Sequence, residues 1–170
     1  MKKFIILLFI GLCFVSTAYS DETLTTKQKE AREWIEKVRQ TDNPTLQIEY
    51  YTKAIGLNPQ HAKAYNNRGL AYADKGNYDQ AIDNYTKATE LDPKLAQAYY
   101  NRGVVYAIRD FLSTACDDFY QAGILHLKQN DRTEALKCVD LMKEVGPSSP
   151  LIKKLMNKIH GEDKPKKSKK

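Results

Sequence analysis

Residues 62–95 read AKAYNNRGLAYADKGNYDQAIDNYTKATELDPKL, and residues 96–129 repeat this pattern one period of 34 residues later. Identities begin with Ala62, Ala64, Tyr65, Asn67, Arg68, Gly69, Tyr72 and Ala73, which match Ala96, Ala98, Tyr99, Asn101, Arg102, Gly103, Tyr106 and Ala107. The segment 51–59 mirrors 85–93, so a first, degenerate copy precedes these two. Recurrence at a fixed period of this size predicts a repeat architecture.

The spacing of large and small residues within one copy predicts two helices. Tyr65, Gly69 and Tyr72 lie four and then three residues apart, which puts them on one face of a helix. The same spacing recurs at Ala81, Tyr85 and Ala88. We expect the small residues to let the paired helices approach closely, with the large rings beside them.

The connections between the helices have their own signals. Residues 74–77, with Gly76 among them, predict the turn inside a copy, because glycine tolerates backbone conformations that other residues resist. Pro93 cannot continue a helix and therefore ends the second one at about Asp92.

With these motifs the sequence resembles the tetratricopeptide repeat family over roughly residues 25–145. The characteristic positions are Tyr65, Gly69, Tyr72, Ala81, Tyr85, Ala88 and Pro93. The resemblance implies an all-α fold of stacked antiparallel helix pairs in a right-handed superhelix, with repeats at about 28–61, 62–95 and 96–129 and terminal helices at 131–160 that cap the stack. It also implies a concave surface that binds protein or peptide.

The outer copies depart from this pattern. Ile35 stands where Gly69 stands and Gln47 where Ala81 stands, so the first pair should pack less tightly. The third copy has no glycine in 109–111 and no closing proline. It therefore predicts a long helix over 111–128, then helices over 133–145 and about 151–159.

The two ends of the chain predict export and a solvated tail. Residues 1–20 have the charged, apolar and small-residue order of a signal peptide, with cleavage expected after Ser20 or Ala18. An uncleaved membrane anchor is the alternative. Residues 161–170 predict a disordered lysine-rich tail.

The formal net charge is +6, yet residues 21–160 hold 20 basic and 19 acidic residues, so the folded body is nearly neutral.

The two cysteines of the predicted helices are expected to stay unpaired. If the turn near Asn130 sets the register, Cys116 and Cys138 are offset by about 9 Å along the helix axes. A disulfide needs Cα atoms within about 7 Å.

No residue constellation predicts catalysis, a cofactor or a metal site. His61, His126 and His160 are isolated, and no phosphate-binding or nucleophile motif is present. Asp117 and Asp118 are adjacent, so on a helix they point in different directions and are expected to be solvated near a helix start. The sequence therefore favours a non-enzymatic protein.

Helical-wheel arithmetic predicts which side chains of the first helix in each pair line the concave surface. The candidate binding residues from the wheel are Lys29, Arg32, Arg39, Lys63, Asn66, Leu70, Asp74, Gln97, Tyr100, Val104 and Ile108, and the family resemblance adds Asn67 and Asn101. The predicted groove is basic at one end and apolar at the other. Three large apolar groups on one exposed helical face, at Tyr100, Val104 and Ile108, predict a partner.

Three further expectations complete the functional hypothesis. Some members of the family grip a peptide's terminal carboxylates with Lys, Asn and Arg; Arg32 and Asn67 could serve here, but Glu36 and Asn101 depart from that arrangement. The leading hypothesis is a periplasmic or secreted scaffold that binds a protein or peptide. The alternative is binding of nucleic acid or an anionic surface through the lysine tail.

Overall fold

The computed structural model describes residues 25–161, and within that range it contains eight α-helices and no strand. They are α1 (Thr26–Val38), α2 (Pro44–Leu57), α3 (Ala62–Asp74), α4 (Tyr78–Leu91), α5 (Ala96–Ile108), α6 (Leu112–Lys128), α7 (Arg132–Val145) and α8 (Pro150–Gly161). Each helix packs chiefly on the next along the chain, and α8 contacts both α6 and α7. The predicted signal peptide and residues 162–170 lie outside the described residues.

This arrangement confirms the predicted all-α stack of helix pairs. The three C-terminal helices begin within one residue of the positions expected from the sequence, and α8 extends to Gly161, the first residue of the predicted tail. No helix between residues 25 and 161 is both long enough and apolar enough to cross a membrane.

Close packing inside each pair explains the recurring glycine. A Cβ atom at Gly69 would lie 2.8 Å from Cε1 of Tyr85, and one at Gly103 would lie 2.9 Å from Cε1 of Phe119. The rings of Tyr85 and Phe119 are each 1 % exposed. An aromatic ring of the second helix therefore lies directly over the backbone of the first.

Positive backbone φ angles mark three of the turns. Gly76 between α3 and α4 has φ 74°, Asp110 between α5 and α6 has φ 64°, and Asn130 between α6 and α7 has φ 60°. Aspartate and asparagine tolerate this left-handed conformation better than other residues with a side chain. The turn after α5 thus forms without the glycine found after α3.

Arginine side chains bridge successive helix pairs. Arg68 on α3 donates from Nε to Oδ1 of Asn84 on α4, at 2.8 Å, and from Nη1 to Oγ1 of Thr52 on α2, at 3.1 Å. One side chain thereby joins three helices.

The same bridge recurs one period later and corrects the expectation for Asp118. Arg102 donates from Nη1 to Oγ1 of Thr86, at 3.0 Å, and binds both carboxylate oxygens of Asp118. Asp118 is 5 % exposed and therefore buried, whereas its neighbour Asp117 is exposed as expected. The prediction of a solvated Asp118 was wrong because it considered the helix alone and not the arginine of the preceding helix.

The first pair is more loosely packed, as Ile35 and Gln47 predicted. Within α1 only Ala31 and Val38 are buried, compared with five residues in α4. Trp34 stands 34 residues before Arg68 and contacts the Tyr50 ring at a centroid distance of 5.7 Å instead of forming the polar bridge.

The C-terminal helices pack together around the largest cluster of buried residues in the described chain. Leu155 and Ile159 of α8 are fully buried. Cys116 and Cys138 are both buried and both free in this structure.

Candidate functional site

A cavity of about 350 Å³ opens between the first helices of two successive pairs, α3 and α5. Six of the thirteen predicted binding residues line it: Leu70, Asp74, Tyr100, Asn101, Val104 and Ile108. Its other lining residues are Ala73, Tyr78, Tyr85 and Val105. The helix spacing of the repeat therefore gathers the predicted apolar residues at one place.

The rim of this cavity is apolar and open to solvent. Leu70 on α3 is 47 % exposed and Ile108 on α5 is 56 % exposed. Both are large aliphatic side chains with little polar cover, and their further burial would be favourable by roughly 25 cal/mol per Å². The rim can therefore accept an apolar side chain from outside.

The floor of the cavity is aromatic and rigid. Tyr85 is almost fully buried where it packs over Gly69. Burial, with a further contribution from Asp74, raises the pKa of the Tyr85 phenol above its usual value. The phenol therefore stays neutral at physiological pH and supplies no charge to the cavity.

Tyr100 stands at the side of the cavity and is held by its neighbours. Its ring lies 5.9 Å from the Phe119 ring, centroid to centroid, at an interplanar angle of 58°. The side chain is half-buried and packs against the main core. Tyr100 therefore supports the fold as well as offering a contact surface.

Four side-chain amides form a chain across the surface from α5 to α3. Gln97 Nε2 donates to Asn101 Oδ1 at 2.8 Å, Asn101 Nδ2 to Asn66 Oδ1 at 3.1 Å, and Asn66 Nδ2 to Asn67 Oδ1 at 2.9 Å. Asn66 is 6 % exposed, so it links its neighbours from beneath the surface. Gln97 and Asn67 are exposed, and each amide has more donors and acceptors than these bonds use.

The basic residues of the predicted surface lie away from this cavity. Lys29 and Arg32 are exposed on α1, Arg39 is exposed directly after it, and Lys63 is exposed in the first turn of α3. Arg39 forms an exposed ion pair with Glu36 at 3.2 Å.

Arg32 lines a separate recess of about 210 Å³. The other residues of this recess are Gln28, Ala31, Ile35, Asn58 and His61. Burial, and then the charge of Lys63, lowers the pKa of His61. The basic end and the apolar cavity are thus two sites on the inner helices rather than one.

Sequence reasoning missed the floor of the cavity. Tyr85 was assigned to helix packing, and Tyr78 and Val105 received no role. The sequence did contain a signal for Tyr85, because a large ring opposite a glycine must occupy the space between two helices. Tyr78 lacks any signal of this kind, since it has no equivalent aromatic residue at position 112.

Within residues 25–161 no three His, Cys, Asp or Glu side chains are grouped so that they could hold a metal ion. The arrangement offers apolar contact, amide hydrogen bonds and surface charge.

Known proteins share the repeat and the fold. Residues 69–107 match a family model described as TPR repeat, and residues 50–83 match one described as tetratricopeptide repeat. No curated protein matches the chain.

Solved structures resemble the whole stack. The TPR2B domain of yeast Sti1, in complex with pHsp70, has a TM-score of 0.65 and 22 % identity over 74 % of this chain and 100 % of that one. The Arabidopsis OM64 TPR domain has a TM-score of 0.55 and 22 % identity, covering 80 % of this chain and 98 % of that one.

A further similar structure is the first TPR of Spaghetti (RPAP3) bound to the HSP90 peptide SRMEEVD. Its TM-score is 0.54 at 19 % identity, covering 79 % of this chain and 94 % of that one. At such identities the likeness establishes the fold, a tetratricopeptide-type superhelix.

Proposed function

We propose that this chain, which contains tetratricopeptide repeats between residues 50 and 107, is a non-catalytic scaffold that binds a peptide segment of a partner protein on its inner helices. The observation that carries the proposal is the cavity between α3 and α5, whose exposed rim residues Leu70 and Ile108 flank Tyr100 and Val104. An apolar side chain of the peptide fills this cavity.

The amide chain beside the cavity supplies the second part of the contact. Gln97 and Asn67 are exposed at its two ends, and Asn101 also lines the cavity. Amide groups can both donate to and accept from a peptide backbone. The bonds from Asn66 hold Asn67 and Asn101 in place before the peptide arrives, which lowers the entropy cost of binding.

The charges of the inner helices determine the orientation in which the peptide binds. Asp74 is exposed and lines the cavity, whereas Lys29, Arg32, Arg39 and Lys63 belong to the N-terminal part of the stack. Complementary charges steer association and fix orientation. The favoured ligand therefore has an apolar anchor, a basic residue near Asp74 and acidic residues toward α1.

Two structural neighbours support peptide binding by this fold. The Sti1 domain was solved in complex with pHsp70, and the Spaghetti (RPAP3) domain with an HSP90 peptide that contains consecutive acidic residues. These contacts belong to those proteins. Their relevance here is that a similar helical stack was solved with a peptide bound.

We further propose that the scaffold works after export, in the periplasm or outside the cell. The support is the signal-like order of residues 1–20. An uncleaved signal that anchors the chain to a membrane is the alternative. Intact-mass measurement of exported protein decides between them: a chain that begins at Asp21 or Tyr19 supports cleavage, and retention of Met1 contradicts it.

Selection from a random peptide library tests the binding proposal. Peptides recovered on the wild-type chain should share a large apolar residue, and their binding should be lost on the Leu70→Lys variant. Lys87→Ala on α4, where Lys87 pairs only with Glu90 at the surface, is the control. Peptides that bind Leu70→Lys and wild type equally, with both proteins folded, would contradict the proposal.

A further inference from the structure

The entire net charge of the protein lies in its last 26 residues. Residues 145–170 contain eight lysines and two acidic residues, whereas residues 1–144 contain nineteen basic and nineteen acidic residues. Three of the eight lysines, Lys153, Lys154 and Lys158, are exposed on α8. A neutral body with one cationic end concentrates its electrostatic attraction at that end.

Within residues 25–161 the α8 lysines have no acidic partners. No acidic residue occurs between Glu144 and Glu162, and among residues 25–161 no ion pair involves Lys153, Lys154 or Lys158. The adjacent helix differs, because Lys137 and Lys143 of α7 each pair with a carboxylate of the same helix. The positive charge of α8 is therefore available to an external anion.

A groove with an apolar floor runs between these lysines and α6. A cavity of about 330 Å³ is lined by Ile124, Leu127, Lys128, Lys158 and Gly161. Next to it, Nζ of Lys154 lies 5.2 Å from the centroid of the Tyr120 ring. Lys128 of α6 and Lys158 of α8 thus line the cavity beside aliphatic side chains, and Lys154 lies one helical turn before Lys158. We call Lys128, Lys154 and Lys158 the basic rim.

We propose that the basic rim and its apolar floor bind the surface of an anionic lipid bilayer. Lysine ammonium groups meet the headgroup phosphates, and the half-buried Ile124 meets the upper acyl region. Lysine clusters on an amphipathic helix have this preference, and each lysine near the surface raises the partition coefficient by roughly a factor of five.

The chemistry favours lipid over nucleic acid. All eight cations of residues 145–170 are lysine, and none is an arginine with the planar fork that binds phosphate in two-pronged fashion. Tyr120 is 9 % exposed, so it provides no platform on which a base could stack. An aliphatic floor between cations matches a phospholipid better than a nucleotide.

Vesicle sedimentation tests this binding with the chain that begins at Asp21, which contains all eight described helices. The chain should bind vesicles of phosphatidylglycerol and phosphatidylcholine and should not bind vesicles of phosphatidylcholine alone. Replacement of the basic rim (Lys128→Gln, Lys154→Gln and Lys158→Gln) should lower the partition coefficient at least tenfold. The matched control removes the same charge elsewhere, at Lys27, Lys75 and Lys87, and should change the partition coefficient less than twofold.

Three outcomes would overturn the proposal. Equal binding by the rim variant and wild type would exclude the helical face, and loss confined to deletion of residues 162–170 would assign the activity to the tail alone. Stronger retention of a DNA duplex than of anionic vesicles at the same salt concentration would identify a nucleic-acid surface. The inner groove is intact in every variant, so these results do not depend on the proposed peptide binding.

Discussion

Arg102 and Asp118 form a two-pronged contact between α5 and α6. Arg102 Nε donates to Oδ2 of Asp118 at 2.8 Å, and Nη2 donates to Oδ1 at 2.9 Å. The two side chains are only 16 % and 7 % exposed. The hydrogen bond that Arg102 donates to Asp118 is also the main reason that the pKa of Arg102 is raised. The contact is the charged version of the Arg68–Asn84 pair one repeat earlier.

Removal of one partner should therefore be costly. Asp118→Ala leaves a buried guanidinium without its carboxylate and should lower the free energy of unfolding by about 3 kcal/mol. Asp118→Asn should cost less, because Asn84 already serves Arg68 in the equivalent position. Urea unfolding measures both, with the exposed Asp117→Ala as control. Equal stability of Asp118→Ala and Asp117→Ala would show that the pair does not contribute.

The glycine of the helix pair provides a second stability test. A methyl group at Gly69 would overlap the Tyr85 ring and also lie 3.2 Å from the Ala81 carbonyl oxygen. Gly69→Ala should therefore destabilise the protein by roughly 1–3 kcal/mol, and Gly69→Leu by more.

Gly56 is the matched control for this substitution. It lies in α2, and a Cβ atom there would meet nothing within 4 Å. Gly56→Ala should be neutral or stabilising by a few tenths of a kcal/mol, because alanine favours the helix. Gly161→Leu, at another open position, should also be silent. A melting temperature of Gly69→Ala at or above that of Gly56→Ala would contradict the packing described here.

Binding of a selected peptide should depend on the cavity residues to different degrees. Tyr100→Ala should weaken binding at least tenfold, since truncating an aromatic anchor costs about 2 kcal/mol or more. It should also reduce stability, because the ring packs on Phe119. Ile108→Ser removes a 56 % exposed side chain and should weaken binding without that loss of stability.

The charge of Arg32, at the basic end of the inner surface, should affect mainly the rate at which the peptide associates. Arg32→Ala should weaken binding less than Tyr100→Ala and mainly reduce the association rate and its salt dependence. Stopped-flow fluorescence separates association from dissociation. Unchanged affinity in Tyr100→Ala, Ile108→Ser and Arg32→Ala would place the peptide elsewhere on the protein.

The cysteines should be unreactive in the folded protein. Burial raises the pKa of the Cys138 thiol to about 12. Burial also raises the pKa of Cys116, and a hydrogen bond with Ser149 partly opposes this effect. Only the thiolate reacts readily. Iodoacetamide at pH 8 should therefore label both residues slowly in the native protein and rapidly in denaturant, and mass spectrometry of non-reduced protein should show no bridge between them.

Acid should weaken the fold through His61. Its folded-state pKa is lowered, so the unfolded chain binds more protons and stability falls as pH drops through about 6.5. His61→Gln should flatten the stability profile between pH 7 and 5.5. Lys63→Gln should do so to a smaller extent, because Lys63 is the second contributor. Superimposable profiles for wild type and His61→Gln would rule out this role.

The local sequence pattern was sufficient to predict the helices. It was insufficient to predict the contacts between repeats. The recurrence of Gly69 and Tyr85 predicted both the helix pair and its tight packing. The polar partners of Arg68 and Arg102 were not predicted, although both arginines recur at the 34-residue offset. Their partners lie 16 residues away in each direction, on different helices, and this geometry is visible only once three helices are stacked.

For the candidate site, too, the sequence predicted the helical face but not the contacts between helices. A helical wheel finds the face that holds Tyr100, Val104 and Ile108. It cannot show that Asn66 turns inward to link Asn67 and Asn101, since that depends on the distance between α3 and α5. Nor can it separate the cavity from the recess that contains Arg32.

The arginine bridges also determine the order in which the stack comes apart. Hydrogen bonds of Arg68 link α3 to α2 and α4. Those of Arg102 link α5 to α4 and α6. The segment from α2 to α6 should consequently open as one cooperative unit, in which no helix frays alone. Outside the bridges, α1 has Trp34 in place of the arginine. Amide hydrogen exchange should be faster there than in α2 to α6, so α1 should detach before that segment under thermal or mechanical load.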